Sequence, residues 1–357
     1  MHQLESFYES TPKAVGFIER KIEIPSHTVN LYGAPRTGKT WSVLDYMAKI
    51  PKRKRLYIDL RDLRIDKRSI GRQIGEFIRA NGIETVAIDH FDGSFALPVC
   101  RQTIVVTEAP YRENPMMPLL QLHSLDFEEY LAFEKRHLHL EHSFSSYLRT
   151  GSLPAMATTA DSILTIRLHE NIRSIFGNEN EIHLFKQISL FQGKPLTIHQ
   201  LYTALKREHR ISKDWLYKKV KSYEERRIVS WLPKYAQPKA AKRVLFYDFA
   251  MPASMHFEKS LMGQLYTIAA AKLKRREDEI FYTDKTDFFD PVSRRAILIS
   301  PFANQQSAAA RISRIIDEID RLEIPEITLL TIANSFEFTF EKTEIRALPF
   351  YEWVLRD

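Results

Sequence analysis

The stretch LYGAPRTGKTW, which runs from Leu31 to Trp41, restricts the fold of this chain more than any other feature. It matches the pattern G-x-x-x-x-G-K-[ST], a glycine-rich loop whose backbone N–H groups cradle phosphates. The residues before it, 27–32, are mostly β-branched or apolar, and those after it, 39–50, carry apolar side chains at helical spacing. A strand, this loop and then a helix form the context that the motif requires. The sequence therefore predicts a phosphate-binding loop on a sheet.

The residue types in this loop predict a nucleotide site that uses ATP and Mg²⁺. Gly33 and Gly38 let the backbone curl so that successive N–H groups converge, and the N-terminus of the following helix adds partial positive charge. Lys39 is expected to reach the β- and γ-phosphates, and the Thr40 hydroxyl to bind Mg²⁺. The predicted nucleotide-binding residues are Gly33, Ala34, Pro35, Arg36, Thr37, Gly38, Lys39 and Thr40.

Strands and helices alternate over the first region of the chain. Strands are predicted at 55–60, 84–89 and 102–107, and a helix with one apolar face at 67–82. This βαβ order predicts a parallel sheet with helices on both faces, so the predicted fold class is α/β.

The ends of two of these strands carry candidate catalytic residues. Asp89 ends an apolar strand, where P-loop ATPases place the acid that holds the water shell of Mg²⁺, so Asp89 and Thr40 are the predicted metal ligands. His90 stands where many hydrolysing relatives have the glutamate that orients the attacking water. An imidazole can accept a proton but differs from a carboxylate in reach and charge. The alternatives are that His90 only caps the strand and that Asp92 is the base.

Thr107 ends the next strand, at a position from which a polar side chain could sense the γ-phosphate. Glu108 follows it and is polar as well. The alternative is a strand end that only meets solvent. The predicted catalytic residues are Lys39, Asp89, His90 and Thr107.

Positive charge is concentrated in one part of the chain. The formal net charge is +7, but the window 194–243 holds 14 lysines and arginines against four acids, which leaves about −3 for all other residues. Such a concentration predicts an anionic partner for one module. Amphipathic helices at 181–191, 197–209 and 212–227, followed by two strands, are typical of a winged helix-turn-helix domain.

The last of these helices is the predicted nucleic-acid interface. Its apolar face is expected to pack inward, and its lysines to face phosphates or base edges. The alternative is a solvated lysine face in a winged helix that packs on another protein, as winged helices often do. Duplex DNA and a protein are therefore both retained as partners. The predicted contact residues are Lys213, Lys218, Lys219 and Lys221.

The chain divides into three predicted domains. An ATP-binding domain is expected at 1–155, a helical lid with the winged helix at 156–252, and a small α/β domain at 253–357. The single cysteine, Cys100, excludes an intrachain disulfide and fits a reducing compartment. No stretch approaches 18 uncharged apolar residues, and the N-terminus has no apolar signal segment. We therefore expect a cytoplasmic protein without membrane contact, and its oligomeric state stays open.

Four stretches together give the chain a resemblance to a known family. GAPRTGKT, AIDHFD, LLQLHSLDFEEYLAF and FSSYLRTGSLPAM are similar to motifs of the prokaryotic archaeal-ATPase-like P-loop family, which is related to AAA proteins. Members of that family have Glu at the position of His90 and a second glycine at the position of Ser152. The resemblance implies an ATPase core, a winged helix and a C-terminal domain similar to restriction endonucleases.

The third region resembles the nuclease-like tail of that family. Members carry an E-[IV]-D-F motif and then a strand ending in E-x-K, whose acids hold Mg²⁺ and whose lysine activates water. Here KTDFFD keeps Asp287 but has Lys285 at the Glu position, and Ser300 and Phe302 stand where Glu and Lys are expected. The resemblance therefore implies this fold without nuclease activity.

The sequence as a whole predicts a slow Mg²⁺-dependent ATPase of the AAA-like class whose nucleotide state controls the winged helix. Binding needs only the loop, Lys39, Thr40 and Asp89, whereas fast hydrolysis also needs a base aimed at water. The alternatives are a nucleotide-gated DNA- or protein-binding switch without significant hydrolysis and, from another class, a nuclease.

Overall fold

The computed structural model describes residues 2–10, 12, 16–134, 139–207, 211–276 and 279–356. The chain divides into two compact units. Residues up to Ser124 together with Glu225–Ile228 form the first unit, and all other residues form the second. The three-domain division predicted from the sequence has other boundaries and stays a prediction. Within the described residues, no helix has the length and apolar character needed to cross a bilayer.

A five-stranded parallel sheet forms the centre of the first unit. Its strands are β1 (Val29–Tyr32), β2 (Arg55–Asp59), β3 (Thr85–Asp89), β4 (Gln102–Thr107) and β5 (Leu119–Gln121). Its helices are α1 (His2–Glu9), α2 (Lys39–Ala48) and α3 (Lys67–Asn81), with a 3₁₀ turn at Lys52–Lys54. The strands lie in the order β2-β3-β4-β1-β5, and every neighbouring pair is parallel. The predicted parallel sheet is therefore confirmed, and β5 extends it by an edge strand that the sequence pattern did not predict.

Burial on both faces explains why this sequence forms a parallel sheet. β1, β3 and β4 are buried along their whole length, as the near-continuous apolar runs of such strands require. Residues such as Phe77 of α3 cover one face, and residues such as Val43 of α2 cover the other. Asp66 caps the start of α3 by accepting from the Arg68 N–H, and Gly82, with φ 62, ends that helix. The carboxyl ends of all five strands consequently meet at one edge, beside the loop after β1.

The second unit contains most of the helices. Its helices are α4 (Phe127–Phe133), α5 (Leu140–Thr150), α6 (Pro154–Ala157), α7 (Leu164–Ile175), α8 (Glu179–Ser189), α9 (Ile198–Lys206), α10 (Lys213–Glu225), α11 (Ala250–Ser254), α12 (Leu261–Arg275), α13 (Gln305–Ser313), α14 (Ile316–Leu322) and α15 (Phe350–Trp353), with a 3₁₀ turn at Asp161–Ile163. Its strands are β6 (Pro195–Leu196), β7 (Val229–Leu232), β8 (Lys242–Phe246), β9 (Phe288–Asp290), β10 (Arg295–Ile299), β11 (Glu326–Thr331), β12 (Phe336–Phe340) and β13 (Thr343–Pro349).

These strands form two sheets. β6, β8 and β7 make a three-stranded antiparallel sheet that incorporates the hairpin after α10. Three helices followed by two hairpin strands are therefore present in the predicted order. The other sheet is mixed and has the order β12-β13-β11-β10-β9, with β10, β11 and β13 parallel and both edge strands antiparallel to their neighbours. The sequence pattern did not predict the hairpin of β12 and β13.

The buried acid Asp248 holds Ser152, the residue at the second-glycine position of the resemblance. The Asp248 side chain is fully buried, and it accepts from the Ser152 N–H at 2.6 Å and from the Ser152 hydroxyl at 2.9 Å. It also accepts from the N–H groups of Ala250 and Met251 at the start of α11. A Cβ atom at Gly151, where φ is 83, would lie 2.5 Å from the same carboxylate. The serine hydroxyl therefore satisfies a buried acid that a glycine could reach only through its backbone.

Candidate nucleotide-binding site

The loop between β1 and α2 has a backbone shape that depends on its glycines. A Cβ atom at Gly33 would lie 2.2 Å from the Leu122 carbonyl oxygen, so no larger side chain fits there. Gly38, with φ 98, caps the N-terminus of α2, and Arg36 is also left-handed, with φ 64. Turns of this kind form backbone concavities that bind anions. The geometry therefore agrees with a phosphate-binding loop.

Side chains within and beside the loop fix its conformation. The Thr37 hydroxyl donates to the Ala34 carbonyl at 2.9 Å, and Ala34, Pro35 and Thr37 are all buried. The Arg20 guanidinium donates to the Thr37 carbonyl at 2.7 Å and to the His123 carbonyl at 2.8 Å. Sequence reasoning missed Arg20, because nothing in its local pattern points to segments so far away in the chain.

Lys39 begins α2 and directs its ammonium group back toward the loop. Its Nζ donates to the carbonyl oxygens of Gly33 at 2.7 Å and Ala34 at 2.8 Å. Burial lowers the pKa of Lys39 to about 8, and the acids Glu108 and Asp89 oppose this shift only in part. Since its charge is poorly solvated, the ammonium group would gain from an anionic ligand. This position fits the predicted phosphate-binding role.

Thr40 and Asp89 bring two oxygen ligands together beside Lys39. The Thr40 hydroxyl donates to Asp89 Oδ2 at 2.6 Å. The Tyr57 hydroxyl donates to the same oxygen at 2.9 Å, and the His90 N–H donates to Oδ1 at 2.8 Å. Burial, helped by the charge of Asp89, raises the pKa of Tyr57 far above its ordinary value, so this phenol stays a donor. Asp89 is therefore a buried carboxylate held in one orientation next to the loop.

His90 occupies a strained position at the end of β3. Its φ of 56 is left-handed, which is uncommon for a residue other than glycine. Its Nδ1 lies 2.8 Å from Asp59 Oδ1 and 3.5 Å from Asp89 Oδ1. Burial is the largest single effect on Asp59 and opposes its ionisation, but the hydrogen bonds from His90 and the Arg61 N–H, together with the charges of both residues, outweigh it and lower the pKa of Asp59. Asp92, the alternative base, instead pairs with Lys67 at 2.6 Å.

Thr107 and Glu108, at the end of β4, have different surroundings. The Thr107 hydroxyl donates to the Ala109 carbonyl at 2.6 Å and accepts from Asn30 Nδ2 at 2.9 Å, so its hydrogen bonds serve the local backbone and β1. The Glu108 carboxylate accepts from Arg226 Nε at 2.6 Å. The acid rather than the threonine therefore belongs to the charged cluster around Lys39.

The parallel strand order and the glycine-rich loop between β1 and α2 place the first unit in the P-loop NTPase class.

Neither a protein-family model nor a curated protein sequence matches the chain. Among solved structures, the chain is similar to a Walker-type ATPase of Pyrococcus abyssi, with 12% identity, a TM-score of 0.43, and coverage of 64% of this chain and 90% of that one. It is also similar to a STAND ATPase with a tetratricopeptide repeat sensor from Pyrococcus horikoshii, with 16% identity and a TM-score of 0.33 over 88% of this chain and 53% of that one. A third similarity is to the ORC1 protein of Aeropyrum pernix in complex with DNA, with 11% identity and a TM-score of 0.30 over 77% of this chain and 93% of that one.

The predicted contact lysines of α10 do not all face solvent. Lys213, Lys218 and Lys221 are exposed, whereas Lys219 is partly buried and pairs with Glu181 at 2.6 Å. Leu216, Val220 and Tyr223 form the buried face of the helix, as its apolar spacing predicted for these positions. Three of the four predicted residues therefore lie on one accessible surface, while Lys219 is engaged within the second unit.

Asp287, which the sequence resemblance marked as the acid of a nuclease-like motif, is surrounded by donors. Its Oδ2 accepts from the Ile299 N–H at 2.7 Å and lies 3.3 Å from Arg311 Nη2. Its Oδ1 accepts from the Tyr266 hydroxyl and lies 3.5 Å from Arg243 Nη1. Two guanidinium groups therefore neutralise this buried carboxylate.

The other positions of the nuclease-like motif supply no further metal ligand of the expected type. Ser300 accepts a hydrogen bond from Arg311, and the Phe302 side chain is exposed. Lys285 pairs with Asp317 on the surface. This donor set does not fit a divalent cation, which prefers several carboxylate or carbonyl oxygens.

Proposed function

We propose that the chain binds ATP with Mg²⁺ at the loop after β1, that it hydrolyses ATP slowly, and that its nucleotide state controls partner binding by α10. The observation that carries this proposal is the 2.6 Å contact between Thr40 Oγ1 and Asp89 Oδ2 beside the Lys39 ammonium group. A hydroxyl and a carboxylate are oxygen ligands that suit Mg²⁺, and the lysine suits phosphate oxygens. Thr40 and Asp89 would hold the ion, which would neutralise charge on the β- and γ-phosphates.

Slow rather than fast turnover is expected because the base is a histidine held by an acid. When His90 Nδ1 carries its proton toward Asp59, Nε2 is left as the acceptor for a water proton. An imidazole differs from a glutamate carboxylate in reach and charge, and Asp59 fixes the orientation of this ring through Nδ1. A positioned base typically contributes about 10²- to 10⁴-fold to a rate, so an imperfect one leaves measurable but low turnover.

Phosphate release from ATP tests this proposal directly. We expect low turnover that needs Mg²⁺ and that disappears in Asp89→Asn, whose amide binds the ion poorly. Turnover that continues in excess EDTA, or at the wild-type level in Asp89→Asn, would overturn the assignment of the metal site. Repeating the assay with and without duplex DNA shows whether the partner-binding surface is linked to the nucleotide site.

Duplex DNA is the partner that the surface of α10 favours. The exposed side chains of Lys213, Lys218 and Lys221 offer cations for phosphates, and the exposed Tyr217 lies between them in sequence. The Lys213 ammonium also lies 5.6 Å from the centre of the Tyr202 ring. We infer that α9, α10 and the hairpin of β7 and β8 act as a winged helix, with a protein as the alternative partner.

We further infer that the C-terminal sheet has the restriction-endonuclease-like fold without its chemistry. Arg243 and Arg311 supply positive charge at Asp287, where a nuclease would need more carboxylates to hold a metal ion. The nuclease alternative therefore has little support from the described residues. Cleavage of duplex DNA in Mg²⁺ or Mn²⁺ that is lost in Asp287→Asn would reinstate it.

A further inference from the structure

Glu108 stands between two arginines at the carboxyl edge of the first sheet. Its Oε2 accepts from Arg226 Nε at 2.6 Å, and its Oε1 accepts from Arg61 Nη2 at 3.3 Å. About a quarter of the Glu108 side chain is exposed, whereas Arg61 is mostly exposed. One carboxylate thus serves as the counter-ion of two cations that come from different parts of the chain.

The same cluster extends to the lysine of the phosphate-binding loop. Among the charges that act on Lys39, that of Glu108 is the largest, followed by those of Asp89, Arg61 and Arg226. Arg61 also acts on the Asp59 carboxylate, so the cations Lys39, Arg61 and Arg226 stand among the acids Glu108, Asp89 and Asp59. Guanidinium groups are well shaped for phosphate oxygens, so the two arginines that pair with the Glu108 carboxylate also suit a phosphate group.

We propose that Glu108 is an internal anion that competes with the terminal phosphate of the nucleotide for Arg226 and Arg61. This inference rests on the proposed ATP site. In the structure, the Glu108 carboxylate pairs with both guanidinium groups. A γ-phosphate placed beside Lys39 would be repelled by Glu108 and attracted by the two arginines, so binding requires that the arginines exchange one anion for the other. ADP, which lacks that phosphate group, would leave the arginines on Glu108.

The competition would give the nucleotide site a means to distinguish ATP from ADP. Arg226 belongs to the segment Glu225–Ile228, which packs with the first unit, and it is the first residue after Glu225, the last residue of α10. When Arg226 leaves Glu108, the change therefore occurs at a residue next to the basic helix α10 in the sequence. The strength of the Glu108–Arg226 pair determines how much of the binding free energy of the γ-phosphate is needed to separate it.

Calorimetric titration of the full chain with Mg-ATP and Mg-ADP tests the proposal. We expect Glu108→Gln to tighten Mg-ATP binding by about tenfold, within the range of ordinary coupling between sites, and to change Mg-ADP binding by less. Arg226→Gln and Arg61→Gln should each weaken Mg-ATP binding more than Mg-ADP binding. Glu84→Gln is the matched control, because Glu84 also lies between two cations, Lys54 and Arg101. This variant should leave both affinities unchanged.

The outcomes separate this inference from the proposed function. Mg-ATP binding that is unchanged or weaker in a folded Glu108→Gln variant would overturn the competition. Loss of turnover in Glu108→Gln at unchanged affinity would overturn it as well, because Glu108 would then take part in the chemistry. Two other results would instead refute the ATP site itself. One is a wild-type chain that binds neither nucleotide, and the other is a Lys39→Ala variant that binds Mg-ATP and Mg-ADP equally well. Arg61→Gln alters a mostly exposed side chain, so its result stays interpretable if Arg226→Gln fails to fold.

Discussion

Asp59 and His90 face each other at the carboxyl ends of β2 and β3, with 2.8 Å between Asp59 Oδ1 and His90 Nδ1. The strand register places Asp59 directly beside Asp89, so Asp59, Asp89 and His90 share a small region of the candidate site. A carboxylate introduced at position 90 would therefore meet two others, and like charges at this distance repel one another.

The first prediction follows from this crowding. Glutamate at position 90 should raise ATP turnover, because a carboxylate can orient the attacking water, but the gain should be held back by Asp59. In the double variant Asp59→Asn/His90→Glu this repulsion is reduced, and we expect an ATP turnover rate about 10²-fold higher than that of wild type. Steady-state phosphate release, with Asp59→Asn alone as the control, measures the gain. A double variant no faster than wild type would mean that the base is His90 itself or lies elsewhere.

The second prediction concerns stability and pH. Burial would raise the pKa of Glu108, but the cations around it, led by Arg226, hold that pKa below its ordinary value. A carboxyl with a lowered pKa in the folded state stabilises the fold above its unfolded pKa of about 4.3 and loses that contribution as pH falls through the lower folded pKa. Without nucleotide, Glu108→Gln should therefore be less stable than wild type by about 1.5 kcal/mol at pH 7.

Urea unfolding of both proteins between pH 7 and pH 3 measures this difference. The two free energies of unfolding should converge at the acidic end, since wild-type Glu108 then becomes neutral like glutamine. A difference that stays constant over the whole range would show that the charge of Glu108 is not what stabilises the fold.

The third prediction concerns the buried acid of the C-terminal sheet. The Arg243 guanidinium lies over the rings of Tyr266 and Tyr282, 4.7 and 4.6 Å from their centres, and its charge partner is Asp287. Asp287→Ala should destabilise the protein by about 3 kcal/mol, because it leaves a largely buried cation without its acid. Asp290→Ala removes an acid whose side chain accepts from the Val292 N–H and the Ser293 hydroxyl on the surface, and it serves as the control. Equal loss of stability in both variants, measured by urea unfolding, would contradict the role given to Asp287.

The fourth prediction concerns α10 and DNA. If the helix contacts phosphates, affinity for duplex DNA should fall steeply with salt, with a slope of about 0.9 per neutralised phosphate. Lys218→Glu/Lys221→Glu should weaken binding at every sequence tested and flatten the salt dependence. Lys219→Gln should have a small effect, since that lysine pairs with Glu181. Fluorescence anisotropy of a labelled duplex over a salt series gives all three results, and DNA binding that ignores salt and these charges would favour a protein partner.

The parts of this molecule that could be predicted from the sequence are those with a local pattern. The loop and its flanking strand and helix follow from glycines and apolar spacing over some twenty residues, and the parallel sheet follows from repetition of that pattern. Asp89 was predictable because a strand end marks it. These features depend on neighbours in sequence, which the sequence shows directly.

The contacts that complete the site join distant segments and left no such pattern. Glu108 and Arg226 are 118 positions apart, and Tyr57 reaches Asp89 across 32 positions. Helical spacing placed Lys219 on the outer face of α10, but Glu181, 38 positions earlier, engages it. The edge strand β5 could not be predicted because it has only three residues, which is too short for a pattern of apolar and polar side chains to indicate a strand.

Equilibrium binding of Mg-ATP to Lys39→Ala tests the central claim most directly. Burial lowers the pKa of Lys39 to about 8, so its charge is not stabilised by the fold, and its removal should leave the thermal unfolding temperature without nucleotide near that of wild type. Lys49→Ala removes an exposed lysine at the other end of α2, paired with Asp45, and is the matched control. We predict that Lys49→Ala binds Mg-ATP as wild type does and that Lys39→Ala shows no measurable binding. A folded Lys39→Ala that binds Mg-ATP with wild-type affinity would contradict the assignment of this loop as the nucleotide site.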